Sequence, residues 1–421
     1  MKILKTVAYE IIASGGLPSV EAQVTLDTGE VGTASVSYGA SAGTYEASVI
    51  FDEDEKRYAG KGMLRAVNNI NQLISPILVG RDATNQSDID QKMIELDGTT
   101  NKSKLGGNAI LAVSVAVARA AATAQDKPLY RYIIDTFQTK PDLQHLPQPM
   151  AVAIEGGKHA SNSTDLQEYC LTAVGNQNTK ESVRAVLESY HALKKILKQA
   201  GYSTNVGNEG AFAPDGIKNN ELPLEYLTQA IKSAGYQPGI DVAISIDAAA
   251  SEFYHEGKYH LSLENKKLNS DELISYYQPW LDKYPIVSIE DMLAEDDWQA
   301  WVKLNQLANN KKTMHIGDDL TVTSVERLQM AINQNAINAI LIKLNQIGTL
   351  TETVKCCLLA QQHGLATVPS HRGGGETNDT AMVDLAVAVG SRFVKFGPTR
   401  GERVAKYNRL MQIERELDTN E

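Results

Sequence analysis

The sequence predicts an α+β domain followed by an α/β barrel with an irregular start. Three observations carry this. From Asp247 onward one unit repeats: an apolar run of strand length, a charged residue, then a helical stretch. The residues that end the runs are Asp247, Glu290, Asp318, Lys343, His371 and Lys395, and from Glu290 they recur every 24 to 28 residues, about one strand plus one helix. The first third of the chain instead reads as strands followed by helices, an α+β order. Between the two lies Lys140–Pro149, where three prolines in ten residues oppose both helix and central strand. The division is therefore 1–137 for the capping domain, 138–149 for a linker and 150–421 for the barrel that carries the site. A chain of 421 residues is too long for one ordinary core, which agrees with two domains.

Val20, Ala22, Val24 and Leu26 alternate with polar residues, Asp27–Glu30 makes a turn, and alternation resumes at Val31, so this is a hairpin. Tyr38–Gly43 is a loop of small residues able to lie against a ligand, or a plain flexible turn. Met63, Ala66, Val67 and Ile70 predict a helix over 62–75, with Pro76 as its stop. Residues 108–125 are Ala- and Val-rich almost all round, which predicts a buried helix. Residues 96–104 form a polar loop. Beyond the linker, strand-like runs at 150–154 and 166–171 have no helix between them, so the barrel starts irregularly. A helix over 180–200 ends before Gly201, and Glu209 follows in a glycine-rich loop.

The net charge of −11 is spread along the chain and argues against a nucleic-acid surface. No transmembrane run and no signal-peptide pattern is present, so the expectation is a cytoplasmic protein without a membrane span. Cys170, Cys356 and Cys357 have no zinc-site spacing and are expected as buried free thiols.

In a parallel barrel the C-terminal strand ends share one mouth. A lone acid there is commonly a helix cap or an ion-pair partner. Three in successive units, Asp247, Glu290 and Asp318, point to a hard divalent cation such as Mg²⁺, which takes oxygen ligands. The adjacent Asp291 and Asp319 are alternatives, and the first of each pair is preferred because it ends the apolar run. Lys343 and Lys395 sit at later strand ends. Burial near other cations can leave a lysine neutral and basic, while pairing with carboxylates is the other reading, open for Lys395 above all. His371 and Arg372 before Gly373–Glu376 suit an anion. Glu209 is the candidate general acid, with Glu168 placed to tune it. Acids, a metal and a basic lysine point to proton abstraction next to a carboxylate.

These residues, with Leu96–Lys104, Ser251–Tyr254, Tyr284–Asp291, Asn345–Leu350 and Arg403–Asn408, resemble the glycolytic enolases (phosphopyruvate hydratases) over nearly the whole chain. The resemblance implies a TIM-like barrel starting ββαα. It also implies reversible dehydration of 2-phosphoglycerate to phosphoenolpyruvate with two Mg²⁺ per site. Asp247, Glu290 and Asp318 would hold the tighter ion, Glu290 and Asp318 also bordering substrate. Ser41 would bind the second ion and the phosphate. Lys343 would take the C2 proton and Glu209 would protonate the C3 hydroxyl. Gln167 and Glu168 would line the site with His159 on a closing loop. Lys395 would meet the carboxylate, and His371 with Arg372 the phosphate. A homodimer or higher homo-oligomer is implied.

The sequence departs from the family's pattern in that substrate shell. Tyr38–Gly43 replaces Ser-Gly-Ala-Ser-Thr-Gly, and Gly373–Gly375 lacks the usual serine hydroxyl. Glu155 stands for Asn, Asn208 for Asp, and Phe396 for Thr; residues 397–402 run one residue short. Gly15 would face Arg415, and Glu21 would face Gln412, so two inter-subunit ion pairs are broken and an altered dimer is expected. Two alternatives therefore stay open: an enzyme of this fold acting on a related phospho- or phosphonate carboxylate, and a weakly active paralogue kept for binding, displayed at the cell surface without a signal.

Overall fold

The computed structural model describes residues 1–39, 43–175 and 178–419. β1 (Ile3–Ile12), β2 (Pro18–Leu26) and β3 (Val31–Ser35) form an antiparallel sheet in that order. β2 and β3 are the hairpin that the alternation predicts. β1 lacks a clean pattern because Leu4, Tyr9 and Ile12 are exposed on it, so its apolar residues do not mark one buried face.

The helix expected over 62–75 does not stop at Pro76. Helical turns run through Leu64–Asn68, Asn69–Ile74 and Ser75–Leu78, the middle segment wound as a π-helix. The wider turn restarts the hydrogen-bond ladder, so Pro76 falls in a new first turn, where its missing N–H costs nothing. α1 (Gln86–Asp97), absent from the sequence reading, ends where the polar loop begins. α2 (Gly107–Ala124) packs on β2 and β3. It is long and apolar enough to cross a membrane, yet 83% of it is buried inside the domain, as its all-round apolarity predicts. α3 (Leu129–Phe137) closes this part of the chain.

The barrel strands are β4 (Gln148–Glu155), β5 (Glu168–Ala173), β6 (Val242–Asp247), β7 (Ile286–Glu290), β8 (Met314–Gly317), β9 (Ala339–Ile342), β10 (Ala366–Pro369) and β11 (Phe393–Phe396). They form one sheet in the order β10-β9-β8-β7-β6-β5-β4-β11, and a parallel bridge between Ser370 and Lys395 joins its two ends. β5 alone runs antiparallel to its neighbours. α4 (Thr179–Gln199) and α5 (Leu222–Ser233) then precede β6, which gives the ββαα start. From β6 on, each strand is followed by helix: α6 (Ser270–Lys283), α7 (Trp298–Asn310), α8 (Val325–Gln334), α9 (Leu350–Gln362), α10 (Ala381–Ala388) and α11 (Gly401–Asp418).

Met150, Val152, Cys170, Ile316, Leu341, Val368 and Phe393 fill the barrel interior, so it is a packed core rather than a pore. The three cysteines are buried and free. The capping domain reaches over the mouth: Tyr38–Gly39 pairs with Gly374–Gly375, and the Ser14 hydroxyl donates to the Gly374 carbonyl at 2.9 Å.

Candidate active site

Strand register builds the site. Glu155 pairs with Glu168, Glu168 with Asp247, and Asp247 with Glu290, so four acids stand side by side across β4 to β7. Like charges directly opposite destabilise a sheet. Lys395, on the strand that closes the barrel, reaches into the row. Its Nζ lies 2.8 Å from Glu168, 2.8 Å from Glu290 and 3.3 Å from Asp247. Burial opposes the Lys395 ammonium, but these carboxylates outweigh it and raise its pKa well above the ordinary lysine value. Lys395 is thus a charge partner, one of the two roles its position allowed. In return Glu168, despite burial, is held down at about 2. Glu290 is pushed well up by burial and by Asp247, and Asp247 is raised for the same kind of reason.

Asp318 and Lys343 follow β8 and β9 directly. The Lys343 Nζ donates to Asp318 Oδ2 at 2.5 Å, and Gln346 donates to Asp318 Oδ1 at 2.8 Å. Burial lowers the Lys343 pKa, yet Asp318 more than offsets it, so the ammonium stands above its ordinary value. Lys343 thus stands as a charge partner of Asp318, where the sequence also allowed a neutral lysine. Asp291 uses both carboxylate oxygens as a brace, accepting the backbone N–H groups of Asp318 and Asp319 at 2.9 and 2.8 Å. Asp291, Asp318 and Asp319 bring one oxygen each within 4.8 Å of the others.

Glu209 is almost wholly buried and touches two imidazoles. Its Oε1 lies 3.6 Å from His159 Nδ1 and 3.4 Å from His371 Nε2, while Oε2 has no hydrogen-bond partner among the described residues. Burial, then Glu168 and Glu155, push its pKa well up, so the carboxyl keeps its proton. Burial pushes His159 down to about 4 and also lowers His371, so both rings are neutral at pH 7. His371 Nδ1 sits 3.1 Å from Glu376, which Arg403 and Lys406 hold ionised at 3.1 and 2.6 Å. An ionised carboxylate only accepts, so Nδ1 carries the ring proton and Nε2 presents a lone pair to Glu209.

His159, Gln167, Glu168, Glu209, Asp247, Asp318, Lys343, His371, Arg372 and Lys395 all line one pocket at the barrel mouth. Glu290 joins it through Lys395. Ser41 lies outside the described residues. Arg372 Nη1 pairs with Glu46 at 3.0 Å, and Glu46 is a pocket acid that sequence reasoning missed. It lies in a loop of the capping domain, and no periodicity marks it.

The pocket fits a hard cation. Its donors are carboxylate oxygens, and the acids that line it outnumber Lys343, Arg372 and Lys395. Burial and mutual repulsion raise Glu290 and Asp247 even with Lys395 among them. Backbone N–H groups engage both oxygens of Asp291, Lys395 engages Asp247 and Glu290, and Lys343 with Gln346 engages Asp318, so each of these acids would exchange a present partner for an ion.

A capped barrel whose mouth gathers acids, two lysines and a protonated carboxyl is suited to general acid–base chemistry on a small molecule. Residues 3–133 match the family described as Enolase, N-terminal domain, and residues 143–421 match Enolase, C-terminal TIM barrel domain. Together the matches take in nearly the whole chain, and the protein belongs to the enolase family.

Proposed function

We propose that the protein is a Mg²⁺-dependent hydro-lyase that reversibly converts 2-phosphoglycerate to phosphoenolpyruvate and water in glycolysis. The observation that carries this reading is that one pocket holds a lysine paired with an acid and, apart from it, a buried carboxyl that keeps its proton. Asp247, Glu290 and Asp318 would hold one Mg²⁺, with Ser41 at a second. The bound ions would supply positive charge against the substrate's carboxylate and phosphate.

The chain's own residues divide the remaining work. Once Asp318 is engaged elsewhere, Lys343 loses the neighbour that holds its proton, while Arg372 and Lys395 keep pressing its charge down. Lys343 Nζ then takes the C2 proton. Glu209 donates its proton to the C3 hydroxyl, the C3–O bond breaks, and water leaves as the C2–C3 double bond forms. His371 Nε2 fixes the direction of the Glu209 proton. Arg372 and His371 meet the phosphate, and Lys395 the carboxylate side.

A second reading, turnover of a related phospho- or phosphonate carboxylate, is favoured by one feature. Gly373 offers no hydroxyl to the phosphate side, and a side chain there would strike Glu209. The test is a coupled assay for phosphoenolpyruvate with 2-phosphoglycerate and Mg²⁺, with phosphonate analogues alongside. Lys343→Ala should abolish turnover while leaving the fold intact. Activity that survives that change would remove Lys343 from its role, and no turnover of 2-phosphoglycerate by the parent would refute the first reading.

A further inference from the structure

One buried acid beside the site has no part in the scheme above. Glu155 ends β4, is fully buried, and points at the loop that carries Glu209. Its Oε1 accepts the Ala211 N–H at 2.9 Å, and its Oε2 accepts the Glu209 N–H at 3.1 Å. The loop lies so close that a Cβ on Gly207 would come within 2.6 Å of the Glu155 carboxyl carbon. Glu155, His159 and Glu209 also place one oxygen or nitrogen each within 4.8 Å of the others.

We propose that Glu155 is a positioning residue for Glu209: its carboxylate anchors the loop by two backbone N–H groups, and its negative charge keeps the Glu209 proton in place. The role assigned to that proton rests on the dehydration reading.

Two carboxyls in one dry site do not both ionise, because like charges at this range repel strongly. The other groups facing the pair decide which keeps the proton. Glu168, ionised by Lys395, adds negative charge from β5. The neutral rings of His159 and His371 add none. Arg403, on α11, draws both carboxyls toward ionisation, and Lys395 acts on Glu209 in the same sense. Tyr190, on α4, donates to the Gly210 carbonyl and stays protonated. Glu155 differs from Glu209 in having backbone donors on both oxygens, which stabilise its charge. Burial pushes it up to about 7, whereas Glu209, with no such donors, goes well above its ordinary value. The pair therefore releases its first proton from Glu155 and its second from Glu209.

The experiment is an infrared titration of carboxyl-labelled glutamate in the full chain, with the Glu209 band assigned by its loss in Glu209→Gln. In the parent the Glu209 carboxyl should stay protonated through neutral pH. In Glu155→Gln it should ionise lower by about one pH unit or more. Glu155→Asp, which keeps the charge, should restore the parent's behaviour. The alkaline limb of turnover should move down with the band, and exchange of the substrate's C2 proton with solvent should not move. A Glu209 titration unchanged in Glu155→Gln overturns the proposal. Where that variant does not fold, the parent alone decides: two coupled steps support the pair, and two independent single-site curves overturn it. A parent with no turnover of 2-phosphoglycerate would refute the dehydration reading, and the titration would still decide separately whether Glu155 holds the Glu209 proton.

Discussion

Gly373→Ala is the sharpest probe of how tightly the acid side of the pocket is built. A Cβ at this position would lie 2.3 Å from Glu209 Oε1 and 2.8 Å from both Cε1 and Nε2 of His159. Ordinary contact begins near 3.4 Å, so the Glu209 carboxylate must retreat by more than one ångström. It has no free room: Oε1 is the oxygen facing both imidazoles, and the side chain is almost fully buried. Overpacking of this kind costs about 1–3 kcal/mol of stability. A misplacement of about 1 Å in a reacting group lowers the rate about 100-fold, equivalent to about 2.7 kcal/mol in the barrier. Turnover to phosphoenolpyruvate should fall by that factor, mainly in kcat, while exchange of the C2 proton, the step proposed for Lys343, persists. Urea unfolding reports the stability term separately. A variant with kcat/KM within about threefold of the parent and unchanged stability would show that Glu209 is not held in this way.

Other expectations follow from the same geometry. Lys395→Met removes the cation that touches Glu168, Asp247 and Glu290 together, and should destabilise the protein held in chelator by about 3–5 kcal/mol; Mg²⁺ should return part of this, as thermal melts with and without chelator will show. Chelating Mg²⁺ from the parent should lower its stability by about 2.7 kcal/mol relative to ion at one hundred times its dissociation constant, and melts insensitive to Mg²⁺ would refute the site. Asp90 is raised to about 6 by burial while it accepts the Thr351 N–H at 3.0 Å. Its folded pKa lies above its unfolded one, so its contribution is present below pH 4 and is lost as pH rises through 6. The parent should lose about 3 kcal/mol relative to Asp90→Asn across that window, read by urea melts at each pH. Finally, a dimer of the kind the family resemblance implies would set Gly15 against Arg415 and Glu21 against Gln412 in place of two ion pairs and should be weak; sedimentation showing an intact dimer at nanomolar protein would refute this.

The barrel was legible because parallel strands buried on both faces read as plain apolar runs, and the residue after each run points into the mouth. That rule alone found Asp247, Glu290, Asp318, Lys343, His371 and Lys395. What escaped was set by contacts distant in sequence or by broken patterns. α1 was missed because its buried face includes the polar residues Gln86, Asp90 and Asp97, which interrupt the apolar stripe. The charge on Lys343 could not be read, since the position of Asp318 relative to its Nζ is a tertiary fact. Glu155 and Asn208 stood out only as separate departures from a family pattern. The fold makes them neighbours: Glu155 accepts the N–H of Glu209, 54 residues away, and Asn208 is the residue before it.

The two sides of the pocket differ in whether cations stand among the acids. Around β6 to β9 cations stand among the acids: Lys343 holds Asp318 below its ordinary value, while Lys395 meets Asp247 and Glu290 without fully offsetting the burial and repulsion that push both up. Around β4 and the 207–212 loop the acids face one another and two neutral imidazoles, so a proton must stay on one of them. The boundary between these regimes is Glu168. Lys395 pairs with it on one side, and its charge acts on Glu209 from the other. Substituting Glu168 by Gln would therefore do two things at once: leave Lys395 less compensated and reduce the charge that keeps Glu209 protonated. Loss of activity there would say little about direct contact with substrate. Only Glu155, which acts on Glu209 without touching Lys395, separates the two effects.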